Sequence, residues 1–82
     1  MVEKLTITLV KSGSSLVAST TLPASSFLDS DIAQICSYLA SRYDILSFSS
    51  VVCDSGLDRS LSFRIKGDYF DVDRFLAFLK SL

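Results

Sequence analysis

Residues 31–40 read DIAQICSYLA, and residues 71–80 read DVDRFLAFLK. The two segments carry one apolar pattern forty residues apart: Ile32 with Val72, Ile35 with Phe75, Cys36 with Leu76, Tyr38 with Phe78, Leu39 with Leu79. Apolar residues at intervals of three and four mark one face of a helix. In the first helix Ile32, Ala33, Ile35, Cys36, Leu39, Ala40 and Tyr43 are expected on the core side, opposite Gln34, Ser37 and Ser41. In the second, Val72, Phe75, Leu76, Leu79 and Leu82 form the stripe.

What precedes each helix also matches. Lys4 to Lys11 alternates, with Leu5, Ile7 and Leu9 on one side and Thr6, Thr8 and Val10 on the other, the period of a half-buried strand. Ser12-Gly13 supplies a turn, and Leu16, Ala18 and Leu22 continue the apolar face on the returning strand. Pro23 has no N–H for a ladder and should end it. Ile45 to Cys53 reads as a third strand, with Leu46, Phe48 and Val52 inward and Ile45 outward. Asp54 to Asp58, around Ser55-Gly56, is a longer turn. Ser60 to Lys66 alternates most clearly, with Leu61, Phe63 and Ile65 inward and Ser62, Arg64 and Lys66 outward.

The chain is therefore expected to be one α+β domain over residues 1–82, a ββαββα pseudo-repeat with units at 4–43 and 45–82. A hairpin and one helix cannot cover their own apolar face, so the halves must fold together. The expected form is a four-stranded antiparallel sheet with both helices packed on one face. Strand orders 2-1-3-4 and 1-2-4-3 both keep every neighbour antiparallel. Ser26 or Ser30 is expected to cap the first helix, and Asp71 the second.

Composition narrows the function. The chain has 82 residues, 49% of them hydrophobic, with eight basic and nine acidic side chains. Near-neutral charge provides no general field for nucleic acid or anionic lipid. No run approaches the roughly 20 apolar residues that span a bilayer. The first ten residues alternate instead of forming a continuous apolar run, so a cytoplasmic protein is expected. Reduced Cys36 and Cys53 fit that compartment, with a Cys36–Cys53 disulfide as the alternative.

There is no histidine, the commonest general base. Cys36 falls on an apolar helix face, where a thiol is inert, and Asp54 beside Cys53 makes that thiol less acidic. Asp29, Asp31, Asp71 and Asp73 sit where helices begin and are accounted for by free N–H groups and the helix dipole. No phosphate loop is present, since each Ser-Gly pair lies between strands. No enzyme activity, metal or cofactor is expected.

The remaining reading is a non-catalytic module that binds another protein: a small adaptor or inhibitor, homodimeric, of which phage inhibitors of host machinery such as anti-CRISPR proteins are one population. Two surfaces are candidates. Thr6, Thr8, Ser62 and Arg64 belong to the open sheet face, assigned to self-association. Tyr38 and Phe78, equivalent in the repeat, are assigned to the partner as aromatic anchors. The alternative is nucleic-acid binding along Arg59, Arg64 and Lys66, with Lys4 and Lys11 joining them. That face lacks the aromatics on which bases stack. A further alternative is a self-assembling structural protein.

Overall fold

The computed structural model describes residues 5–82. Six elements follow the expected order: β1 (Thr8–Ser12), β2 (Ser15–Pro23), α1 (Asp29–Arg42), β3 (Ile45–Val52), β4 (Asp58–Lys66) and α2 (Val72–Lys80). The strands form one antiparallel sheet in the order β1-β2-β4-β3, the second of the two orders that the antiparallel rule admits. β2 and β4 pair along nine residues each, from Ser15 opposite Lys66 to Pro23 opposite Asp58. The two halves of the repeat are joined along this central seam.

Alternation decides which side chains enter the core. Leu16, Ala18 and Leu22 of β2 meet Leu61, Phe63 and Ile65 of β4 on the buried face. Ile35 and Leu39 of α1 and Phe75 and Leu79 of α2 close over them. Phe63, Phe70 and Phe75 pack as a triangle with centroids 5.3–5.6 Å apart. Tilted and edge-on rings at such distances suit the aromatic quadrupole. Phe27 and Phe70, forty-three residues apart like the two Ser-Gly turns, are both buried just before their helices.

The β1–β2 turn has Gly13 and Ser14 at its centre, and only Gly13 has positive φ, +62°. That is the pattern of a type II′ turn, which demands glycine at its first central position.

Several local expectations are corrected. β1 begins at Thr8, and Lys4 lies outside the described residues. The Thr20 hydroxyl donates to the Thr6 carbonyl, so a side chain takes an acceptor that a ladder would use. Leu5 and Ile7 still pack against the core. In β3 the register with β4 shifts between Ile45 and Ser47, and Leu46 is the extra residue of a bulge. Ile45 therefore turns inward while Leu46 is 54% exposed. Beyond the bulge Phe48 remains inward, but Val52 at the strand end is 45% exposed.

Neither Ser26 nor Ser30 caps α1. Leu28 holds the cap position, and the Asp31 carboxylate accepts its N–H at 2.9 Å. Asp71 caps α2 as expected, accepting the Arg74 N–H at 3.0 Å. Tyr43, which ends α1, accepts the Asp71 N–H at 3.0 Å through its hydroxyl, linking the end of one helix to the start of the other. Ala33 and Ala40 are exposed, so the buried arc of α1 is narrower than its apolar pattern.

Arg59 has the most unusual setting. It is in phase with Leu61 and Phe63, so its stem enters the core face, and the residue is 7% exposed. Its guanidinium donates to the Phe27 carbonyl at 2.9 Å and to Asp29 at 2.5 Å, fastening β4 to the chain entering α1. The burial is one-sided, because the Asp29 side chain is 94% exposed. The carbonyl bond should therefore matter more than the ion pair. Arg59→Ala is expected to cost about 2 kcal/mol, through the unpaired carbonyl and lost packing. Asp29→Ala should cost under about 1 kcal/mol. Urea unfolding of the two variants checks that order.

Candidate functional site

Antiparallel pairing fixes the open face of the sheet row by row. Thr8 lies opposite Ser19, Ser19 opposite Ser62, and Ser62 opposite Ser49. Four hydroxyls thus cross all four strands in a line. At about 4.8 Å between strands, the row is about 14 Å long. On one side run Val10, Val17, Arg64 and Ser47; on the other run Thr21, Ser60 and Val51. Thr6 and Thr8 help line a shallow depression with Ser19, Thr21, Ser60 and Ser62. No element among the described residues covers this face. Val10 is 56% and Val51 is 63% exposed there.

Arg64 is held along the surface. Its guanidinium donates to the Ser15 hydroxyl at 2.9 Å, and that hydroxyl donates to the Ser12 carbonyl at 2.8 Å. Thr6, Thr8, Ser62 and Arg64 therefore do share one face. Arg59 does not share it with Arg64 and Lys66, because it lies on the opposite side of the sheet in its own hydrogen bonds. The three-cation row of the nucleic-acid alternative reduces here to Arg64 and Lys66.

Tyr38 and Phe78 meet each other. Their rings stack with centroids 4.3 Å apart and planes 15° apart, and Tyr38 also lies 6.0 Å from Phe75. Both are half-buried, so Tyr38 does not project from the polar side of α1. The two repeat-equivalent aromatics form the seam between the helices. Ser19 and Ser62 are likewise equivalent and likewise opposite each other. A local pseudo-twofold axis thus passes between Ser19 and Ser62 on the sheet and between Tyr38 and Phe78 on the helices. The outward edges of the two rings line a groove with Ala33, Gln34, Ser37 and Ser41.

The Tyr38 hydroxyl oxygen is buried without a hydrogen-bond partner. Burial raises its pKa above the ordinary 10.0, while the Arg42 guanidinium, 4.8 Å from the ring centroid, pulls the other way. The thiols of Cys36 and Cys53 are both free, the first half-buried and the second exposed. Among the described residues, no three His, Cys, Asp or Glu side chains are grouped to hold a metal ion, and no helix is long and apolar enough to cross a membrane.

No family model, curated protein or solved structure matches the chain.

The unpartnered hydroxyl makes Tyr38 testable. Tyr38→Phe keeps the stack and removes the orphan, so it should stabilise the fold by about 1 kcal/mol. A raised folded-state pKa means that the folded chain holds this proton more tightly than the unfolded chain. That stability is fully present below the unfolded pKa and is lost as pH rises past it. Thermal melts between about pH 8 and 11 should fall less steeply for Tyr38→Phe than for the wild type.

Proposed function

We propose that the protein is a non-catalytic interaction module, a small adaptor or inhibitor that binds another protein and pairs with a second copy of itself. The observation supporting this reading is the uncovered sheet face. An antiparallel sheet with one wet face is common. This face differs in composition: it carries hydroxyls and valines, with its ordered cation confined to one row. Hydroxyls satisfy a partner's backbone or side chains with little desolvation cost, and exposed valines add apolar area at roughly 25 cal/mol per Å² removed from water.

A flat, rigid, weakly charged platform suits a protein partner, whose surface is itself largely apolar and uncharged at the centre of contact. The Tyr38–Phe78 groove is the second surface of the module. Its rings are already held in place by stacking, so a partner side chain meets them with little ordering cost.

Ser62 lies at the centre of the platform and gives the test. Affinity capture from the native cells should recover one protein in near-equal amount with the wild-type chain. Ser62→Arg should lose it while the circular dichroism spectrum and melting temperature stay close to wild type. Undiminished capture by Ser62→Arg would remove the sheet face from the proposal. No stoichiometric protein with the wild type would remove the interaction reading.

A further inference from the structure

We infer that the outer edge of β3 is the self-association surface, pairing antiparallel with β3 of a second copy to give one continuous eight-stranded sheet. The inference deepens the interaction module proposed above by naming where two copies meet. Self-association, expected from the sequence on the open sheet face, is thereby moved to this edge, and the face is left to the partner.

The two edges of the sheet differ. β1 is five residues long and carries Lys11, a charge of the kind that guards an edge against pairing. β3 is eight residues long, Ile-Leu-Ser-Phe-Ser-Ser-Val-Val, with no charge, proline or glycine. Three of the exposed large hydrophobic side chains, Leu46, Val51 and Val52, lie on this one strand. A long, uncharged, apolar edge left open is a template for another strand.

The backbone says which groups are free. The Cys53 N–H donates to the Asp58 carbonyl, and below the bulge the Lys66 N–H donates to the Asp44 carbonyl. Hydrogen-bonded pairs alternate along an antiparallel ladder, so Val51, Ser49 and Ser47 turn their polar groups toward β4. Phe48, Ser50 and Val52 turn theirs outward.

A twofold axis at Ser50 fits that set. Ser50 then meets Ser50 of the second copy. Phe48 meets Val52 twice on the helix side, an aromatic–β-branched pairing that stabilises sheets. Ser49 meets Val51 on the open side, and Ser47 meets Cys53. Seven residues pair on each chain without one charged side chain in the contact, and Asp44 and Asp54 fall outside it. The interface is isologous, so it closes at two copies and uses up the unguarded edge. Two paired strands bury less than a standard interface, so the dimer should be concentration-dependent.

Sedimentation and residue-resolved amide exchange test this on the intact chain. The expected mass rises with concentration to twice the 9.0 kDa of one chain. Over the same range the amides of Phe48, Ser50 and Val52 become protected, joining Ser49 and Val51, which β4 protects at every concentration. Val52→Lys and Ser50→Pro should each return the chain to monomer, and Val10→Lys on the open face should leave the dimer intact. If the edge variants unfold, the wild-type exchange pattern still decides. A monomer at all concentrations overturns the inference. So does a dimer whose Phe48, Ser50 and Val52 amides exchange freely, since its interface lies elsewhere. Oligomers growing beyond two also overturn it, because they require an interface that does not close. None of these readouts depends on the captured partner.

Discussion

The pairing of β2 with β4 is the constraint on which the rest of this fold depends. Among the described residues it is the only pairing between strands of different halves, and it brings Leu16, Ala18 and Leu22 against Ile65, Phe63 and Arg59 in one register. Without it, each half is a two-stranded hairpin and a helix, which is at best marginal in water. With it, both hairpins share one face, and Phe63 can sit under Phe70 and Phe75. The helices then meet through Tyr38 and Phe78, the counterpart on the covered side of Ser19 and Ser62 on the open side. A small chain gains buried area in this way that neither half can supply.

Departures from the repeat are as informative as the repeat. Arg59 is fastened to Phe27 and Asp29, and its burial closes one end of the core with a charged group. A buried cation is tolerated when its donors are used, and two of the three guanidinium nitrogens are used here. α1 begins at Asp29 with Leu28 as its cap, whereas α2 begins at Val72 with Asp71 as its cap. The extra turn in α1 carries Asp29 to the Arg59 guanidinium. β3 carries a bulge at Leu46, while the described pairing of β1, from Thr8 to Ser12, is regular.

Much of this was legible in the residues. Period-two alternation located β2 and β4, because both faces of each strand have consistent neighbours. Helical spacing located Ile35, Leu39, Phe75 and Leu79 in the core. Glycine at Gly13 marked the turn. The misses have local causes. A bulge leaves no mark on alternation, so Ile45 and Leu46 exchanged faces. Capping by Asp31 from within α1 looks in sequence like a cap two residues later, at Ser30. Arg59 reads in sequence as a surface cation because of its charge, yet its phase with Leu61 and Phe63 places it inward. The Tyr38–Phe78 contact was half visible: repeat equivalence paired the rings, but only the helix arrangement shows that they stack on each other. The open face was readable residue by residue, while its row of four hydroxyls needed the strand order.

The claim that most needs testing is that the two halves form a single cooperative unit through the β2–β4 seam. Residue-resolved amide signals followed through a urea titration measure it directly. One midpoint and one slope are expected for residues of the first half, such as Leu16 and Ile35, and of the second half, such as Phe48 and Phe75. Two separate transitions, with either half keeping its native signals after the other has lost them, would contradict it.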